Sequence, residues 1–194
     1  MKKIIATAAA ALLCIGSFAQ GTEYLVSYFG IKSDGQTDNT TSIQKAIDFI
    51  AEKGGGTLTF CVGRFVTGAV YLKSGVNIRL DAAADIIGTD NIYGYKGQKA
   101  IFNAFGVENV TIYATRGNGV VDGRADLVLK SYNDQKAKGY ITDSTPLPTL
   151  FYFENCKNIK LQKVLYRNPA APGNFYEAVN SDVTLDGCFT DTRN

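Results

Sequence analysis

Carboxylates are the side chains in this protein best suited to acid–base chemistry, because its 194 residues include 18 Asp and Glu but no His. Without an imidazole there is no Ser-His-Asp or Cys-His nucleophile pair, no His-ligated zinc and no imidazole pH switch. Two carboxylate pairs lie close in the sequence, Asp122 with Asp126 and Asp182 with Asp186. Neither spacing is specific for a paired acid and base, so the sequence by itself assigns no catalytic residue.

Aromatic and basic side chains are the candidates for binding a sugar, and the chain holds 11 Tyr and 11 Phe. The candidate aromatic platforms in polar stretches are Tyr93, Tyr95, Tyr132 and Tyr140. The basic candidates for charge-assisted bonds to an acidic sugar are Arg116, Arg124, Lys130 and Arg167. Internal packing or simple exposure is the competing interpretation for each tyrosine, and surface solvation for each basic residue. Substrate-binding residues therefore stay unassigned.

The polar motifs indicate no cofactor and no metal site. The acidic stretch 34–38 lacks the remaining ligands of a calcium loop, and it predicts a turn before a helix. The glycine-rich stretch 117–123 lacks the Lys-Ser/Thr and the helix of a phosphate loop, so it predicts tight corners between strands. The near balance of 20 basic and 18 acidic residues speaks against a nucleic-acid partner.

The first 19 residues predict a secretory signal peptide. Lys2 and Lys3 precede an apolar run, 4–15, that is too short to span a bilayer, and 17–19 has the small-x-small pattern of a cleavage site. A buried N-terminal helix is the alternative. Cleavage after about Ala19 leaves 18 basic and 18 acidic residues. We therefore expect a secreted or periplasmic protein without a membrane anchor.

Three cysteines follow that segment, Cys61, Cys156 and Cys188, and their spacing matches no metal motif. Each lies beside alternating apolar residues, which favours small buried side chains. A disulfide between Cys156 and Cys188 is the open alternative in an exported protein.

The elements that must position these side chains are one helix and many short strands. Apolar residues at i, i+3, i+4 and i+7 predict a helix over 40–52, after cap candidates at 38–41 and before three glycines at 54–56. Alternating apolar segments between Gly, Asn and Asp follow, which predicts strands. The polar segment 124–148 predicts a loop excursion, and such loops are common binding sites.

An internal repeat favours one of the all-β architectures over the other. The phrase Asn/Asp, aliphatic, any residue, aliphatic begins at Asn77, Asn109, Asn158 and Asp182, with intervals of 32, 49 and 24 residues. Such intervals favour a parallel β-helix, in which each coil adds a short strand and Asn at a corner adopts the left-handed conformation. A β-sandwich is the alternative, but it explains the recurring phrase less well.

Several stretches resemble the polygalacturonases, the inverting glycoside hydrolases of the pectin-lyase-like superfamily. They are Tyr28 to Thr40 with Ile43 to Ile47 and Gly54 to Thr57, Gly63 to Gly68 with Leu72 to Val76, Gly119 to Gly123, and Tyr166 to Pro169. The resemblance covers about residues 27–192. It implies a right-handed parallel β-helix over 20–194, a capping helix at 40–52, and a pectic or other acidic polysaccharide as substrate.

The same resemblance implies that the catalytic residues are absent from these 194 residues. The family holds them in Asn-x-Asp, Gly-Asp-Asp, Gly-His-Gly and Arg-x-Lys motifs. The last three do not occur in the chain, and the one Asn-x-Asp match, residues 180–182, overlaps the repeated phrase that begins at Asp182. We therefore expect the N-terminal part of a polygalacturonase-type hydrolase, inactive by itself, with an open C-terminal end that allows self-association. A complete, non-catalytic β-helix that binds polysaccharide or mediates adhesion is the alternative. A polysaccharide lyase would need calcium-binding carboxylates, for which the sequence shows no cluster.

Overall fold

Three parallel β-sheets run along the chain in a computed structural model that describes residues 21–115 and 119–191. The predicted signal peptide, Arg116 and residues 117–118 lie outside the described residues. The strands in chain order are β1 (Glu23–Leu25), β2 (Asp34–Asp38), β3 (Gly56–Phe60), β4 (Gly63–Thr67), β5 (Val70–Tyr71), β6 (Val76–Leu80), β7 (Ala84–Gly88), β8 (Ala100–Phe105), β9 (Glu108–Ala114), β10 (Val120–Asp122), β11 (Thr149–Glu154), β12 (Lys157–Gln162), β13 (Leu165–Arg167), β14 (Tyr176–Val179), β15 (Val183–Asp186) and β16 (Phe189–Asp191). The helices are α1 (Thr40–Glu52) and α2 (Ala125–Ala137), with 3-10 turns at Val26–Phe29 and Ile92–Tyr95.

The chain visits the three sheets in the same order in each coil. Sheet A has the order β1-β3-β6-β9-β12-β15, sheet B the order β16-β13-β10-β7-β4-β2, and sheet C the order β14-β11-β8-β5. Every strand pair of these sheets is parallel. The predicted β-sandwich alternative is wrong, because a sandwich pairs its strands antiparallel.

The four repeated phrases occupy neighbouring strands of sheet A, namely β6, β9, β12 and β15. Ile159 pairs with Val110 on one side and with Val183 on the other, so three of the phrases are in register. The first phrase is displaced by two residues, since Ile78 pairs with Ile112. The in-register pairing explains why the phrase recurs.

Asparagine forms part of the corner before sheet A, as the repeat predicts. Asn109 and Asn158 adopt the left-handed conformation, with φ of 59° and 51°. Asn158 Nδ2 donates to Asn109 Oδ1 at 2.7 Å, which links one coil to the next. Asn77 instead accepts the backbone N–H of Thr111 at 2.8 Å. Asn109 and Asn158 therefore confirm the predicted left-handed conformation, and Asn77 does not.

Inward side chains form ladders along the axis. Leu58, Ile78, Ile112 and Leu161 follow one another in register in sheet A, and all four are fully buried. Each such side chain contributes about 1.5–3 kcal/mol to stability through burial. The next residue of this ladder, Leu185, is 42% exposed. The core therefore thins out at the last described coil.

Helix α1 packs its apolar stripe, Ile43, Ala46, Ile47 and Ile50, into the core beside β3. It also covers an edge of sheet C. The Gln44 side chain accepts the Tyr71 backbone N–H at 2.7 Å and donates to the Tyr71 carbonyl at 3.1 Å. Thr40 Oγ1 accepts the Gly68 N–H at 2.6 Å. Side chains of α1 thus replace the strand that would otherwise pair with β5.

The excursion 124–148 contains helix α2 rather than only loop, so the sequence-based interpretation of this segment was wrong in part. Val128 and Tyr132 lie four residues apart and are buried, while most of the helix is polar. The Ser131 hydroxyl accepts the N–H of Ile92, which ties α2 to the second 3-10 turn. Such a narrow apolar stripe is a weak sequence signal. Neither described helix is long and apolar enough to cross a membrane.

The three cysteines of the described residues are free thiols, so the possible Cys156–Cys188 disulfide is not formed. Cys156 lies in the corner between β11 and β12, and Cys188 lies in the corner between β15 and β16. The Cys156 thiol donates to the Glu154 carbonyl, whereas the Cys188 thiol donates to the Leu161 carbonyl. Different corners of the coil hold the two residues apart.

Gln44→Ala should lower the free energy of unfolding by about 1–2 kcal/mol, because it leaves the Tyr71 backbone groups without their partner. Urea unfolding followed by circular dichroism measures this change. Lys45→Ala is the matched control, since Lys45 is an exposed neighbour on the same helix. Equal stability of the two variants would contradict the role given to Gln44.

Candidate functional site

Three of the charged candidates, Asp122, Arg124 and Arg167, lie at the carboxyl ends of neighbouring sheet B strands. Strand β10 alternates so that Val121 is fully buried in the core while Asp122 faces outward. Asp122 pairs in register with Arg167 of β13, and Arg167 pairs with Asp191 of β16. Three neighbouring coils therefore each place one charged residue in the same row.

Two stretches that are far apart in sequence form one corner beside this row. Asp122 Oδ1 accepts the Arg124 N–H at 2.9 Å and the Asn168 side-chain amide at 3.1 Å. The Gly123 N–H donates to the Arg167 carbonyl at 3.0 Å. A Cβ at Gly123 would lie 2.4 Å from the Asn168 carbonyl oxygen, so only glycine fits there. The Gly119–Gly123 and Tyr166–Pro169 stretches of the resemblance therefore contact each other.

Arg124 is held at the edge of this corner. Its Nη1 donates to the Gly88 carbonyl at 3.3 Å, and its Nη2 lies 3.6 Å from Asp90 Oδ2. The Arg124 side chain is 23% exposed and that of Asp90 is 62% exposed. Water screens such a pair, so its contribution to stability is small. Arg124 is positioned rather than free to follow a ligand.

Arg167 faces a cavity of about 250 Å³, which is lined by Tyr166, Arg167, Pro169, Gly173, Asn174, Phe175, Thr190 and Asp191. Arg167 Nε is buried and has no hydrogen-bond partner among the described residues. The half-buried Phe175 stacks on the buried Tyr166 at 4.4 Å between ring centroids, and these two rings form an aromatic wall whose accessible surface belongs to Phe175. A guanidinium beside an aromatic wall suits a ligand with a carboxylate and an apolar face.

Phe175 and Asn168 are site residues that the sequence did not indicate. Asn168 had one signal, its place in the Tyr166–Pro169 stretch of the resemblance. Phe175 had none, because its contact with Tyr166 depends on how the chain returns from β13 to β14.

Two of the four candidate aromatic platforms are buried, so the competing interpretation of internal packing applies to them. Tyr95 is 1% exposed, and its hydroxyl donates to the Thr89 carbonyl at 3.0 Å beneath sheet B. Tyr132 is 8% exposed, and its hydroxyl reaches the Thr142 carbonyl. Tyr93 and Tyr140 are exposed, but neither lines the Arg167 cavity. Lys130, one of the basic candidates for binding an acidic sugar, lies outside the Arg167 cavity, in an open groove beside α2.

The two carboxylate pairs do not form an acid–base site. Asp182 and Asp186 flank strand β15, roughly 13 Å apart along the strand, which exceeds the roughly 6.5–9.5 Å of an inverting pair. Asp182 accepts the Asn158 N–H and Asp186 accepts the Gln162 amide, so both connect neighbouring coils. Asp126 lies exposed in the first turn of α2. Residues 21–115 and 119–191 contain no cluster of Cys, Asp and Glu able to hold a metal ion.

Solved structures share this architecture. The chain matches a "putative glycosyl hydrolase" from Parabacteroides merdae ATCC 43184 with a TM-score of 0.82 and 37% identity, over 88% of this chain and 75% of that one. It matches the family 28 exopolygalacturonase of Yersinia enterocolitica with a TM-score of 0.73 and 23% identity, over 89% of this chain and 39% of that one. It matches the hyperthermoactive exopolygalacturonase of Thermotoga maritima with a TM-score of 0.68 and 20% identity, over 88% of this chain and 47% of that one.

This chain therefore spans less than half the length of either exopolygalacturonase. No protein-family model and no curated protein matches it.

Stability should fall as the pH rises above about 10, the pKa of an unfolded tyrosine. Burial raises the pKa of Tyr95 and Tyr166 in the folded chain, so the unfolded chain releases these protons first. This contribution to stability is complete below the pKa of tyrosine in the unfolded chain. Between that pKa and the raised pKa of the folded chain, it falls by up to about 1.4 kcal/mol per tyrosine for each pH unit. Urea unfolding at several alkaline pH values measures this slope. Tyr95→Phe should make the slope shallower, and the exposed Tyr140→Phe should not; equal slopes would contradict the assignment.

Proposed function

We propose that this chain, which belongs to the glycoside hydrolase family of its Parabacteroides merdae relative and has the parallel β-helix fold of the pectin-lyase-like proteins, binds a pectic polysaccharide at the Arg167 cavity. The family membership rests on the Parabacteroides merdae relative, and several neighbours of this fold act on galacturonate polymers by name. The observation that carries the proposal is the buried Nε of Arg167 beside the wall of Tyr166 and Phe175.

Galacturonate matches this cavity chemically. Its carboxylate accepts charge-assisted hydrogen bonds from a guanidinium, which are about twice as strong as neutral ones. The apolar face of its ring suits contact with Phe175. Asp122 Oδ1 accepts from Arg124 and Asn168, so this carboxylate oxygen holds the corner together.

The finer proposal is that this chain supplies binding but not the acid and base of a polygalacturonase. Three of the four motifs that carry catalysis in the resembling family are absent from its 194 residues. The one Asn-x-Asp match, residues 180–182, contains Asp182, which accepts the Asn158 N–H of the neighbouring coil. A role as a binding or adhesion module remains the alternative, and it requires the same cavity. We also infer right-handed coils, the usual hand of crossovers between parallel strands. Export by residues 1–19 stays a prediction.

Arg167→Ala should weaken binding of oligogalacturonate by about tenfold to a hundredfold, because a hydrogen bond to a charged group contributes about 1.5–3 kcal/mol. Isothermal titration calorimetry at low salt measures the affinity. Arg64→Ala is the control, since Arg64 is exposed on β4 of the same sheet, away from the cavity. Arg167→Lys should recover only part of the loss, because lysine lacks the planar fork.

The same preparation should release no reducing sugar from polygalacturonate. Measurable turnover would contradict the proposal that the chain lacks the catalytic groups. Equal oligogalacturonate affinity of the Arg167→Ala and Arg64→Ala variants would contradict the binding site.

Self-association through the last described coil is a further part of the proposal. Leu185 and Phe189 are 42% and 62% exposed on β15 and β16, which lie at the ends of sheets A and B. Exposed apolar strand edges favour pairing with another chain. Sedimentation velocity should show concentration-dependent association that Phe189→Lys reduces. Phe49→Lys, at the opposite end of the solenoid, is the control; a monomer at all concentrations would contradict the prediction.

A further inference from the structure

Arg167 lies between two aspartates in sheet B. It pairs in register with Asp122 of β10 on one side and with Asp191 of β16 on the other. Residues that pair in register point to the same face of a sheet, on strands about 4.8 Å apart. The row therefore places one guanidinium between two carboxylates.

The two carboxylates of this row have different surroundings. Asp122 Oδ1 accepts the Arg124 N–H and the Asn168 side-chain amide, so it belongs to the corner. Asp191 lines the cavity beside Arg167. Among the described residues that line this cavity, Arg167 is the one cation and Asp191 is the one anion. A ligand carboxylate that bonds to Arg167 therefore comes close to Asp191.

The charges around the cavity limit how many ligand carboxylates it accepts. Among the described residues of the row and its corner, three are acidic and two are basic, namely Asp90, Asp122, Asp191, Arg124 and Arg167. Arg124 already lies 3.6 Å from Asp90. One ligand carboxylate has Arg167 as its partner, but a second one beside it meets a net negative charge. Charges act on one another over about 10 Å at 0.1 M salt, and like charges brought together at an interface weaken binding.

A second row of sheet B has the same charges without the cavity. Arg64 of β4 pairs in register with Asp34 of β2 and with Asp85 of β7. Asp34 Oδ1 accepts the N–H groups of Gln36 and Thr37, so it holds its own turn. None of the three residues in this row lines the Arg167 cavity. The Arg64 row is therefore a matched control for the Arg167 row.

We propose that Asp191 determines the specificity of the Arg167 cavity, which accepts a single ligand carboxylate and selects partly methyl-esterified galacturonan over the fully de-esterified polymer. A methyl ester carries no charge, so it avoids the repulsion by Asp191, while a neighbouring free carboxylate still bonds to Arg167. The ester methyl is apolar, and Phe175 supplies an apolar surface in the same cavity. This inference rests on the proposed function, because it concerns the same ligand at the same cavity.

Isothermal titration calorimetry with two oligogalacturonates of equal length, one fully de-esterified and one partly methyl-esterified, tests this specificity. The wild-type chain should bind the partly esterified ligand about threefold to tenfold more tightly, the size of one further like-charge contact near a protein surface. Asp191→Asn should bring this ratio close to one, mainly by tightening the de-esterified ligand. Asp85→Asn is the control and should leave the ratio unchanged, since Asp85 flanks an arginine outside the cavity.

The outcomes separate this inference from the proposed function. Equal affinity of the wild-type chain for the two ligands would overturn the inference, as would an unchanged ratio in Asp191→Asn, while binding that Arg167→Ala weakens would still support the cavity. Weaker binding of both ligands by a folded Asp191→Asn variant would also overturn it, because Asp191 would then only position Arg167. Circular dichroism shows whether each variant is folded. Binding of neither ligand by the wild-type chain would overturn the proposed function itself.

Discussion

Parallel pairing from coil to coil is the interaction on which the rest of this structure depends. Each coil satisfies the backbone N–H and C=O groups of its neighbours in all three sheets, and a buried backbone group without a partner is costly. The stacking distance of about 4.8 Å brings equivalent side chains into contact on both faces of each sheet. The ladder of Leu58, Ile78 and Ile112 in the core results from this stacking.

The ends of such a stack need other groups to replace the missing coil. At the first coil, Gln44 and Thr40 of α1 bond to the backbone of Tyr71 and Gly68, so side chains of a helix act in place of a strand. At the last described coil, Leu185 and Phe189 remain exposed. The two edges therefore differ chemically, because polar side chains of α1 bond to the backbone at one edge and apolar side chains are exposed at the other.

Stacking also explains how a site forms from distant segments. Asp122 and Arg167 are 45 positions apart in sequence but occupy adjacent strands of sheet B. The corner that holds Arg124 requires Gly123, because the Asn168 carbonyl passes too close for a side chain. Asp122 is thereby a structural acceptor, while Arg167 has a buried Nε without a partner among the described residues and lines a cavity. The chemistry of each charged residue at the site depends on the hydrogen-bond partners that the neighbouring coils supply.

The sequence by itself determined the repeating architecture and helix α1. The phrases at Asn109, Asn158 and Asp182 predicted in-register strands, and the stripe from Ile43 to Ile50 predicted the helix over 40–52, since both patterns are local and periodic. Only the tertiary structure decided that Tyr95 and Tyr132 are buried, that α2 forms within the polar excursion, and that Phe175 is placed beside a cavity. These outcomes depend on contacts between coils, and the loops of unequal length that set those contacts leave no periodic signal in the sequence.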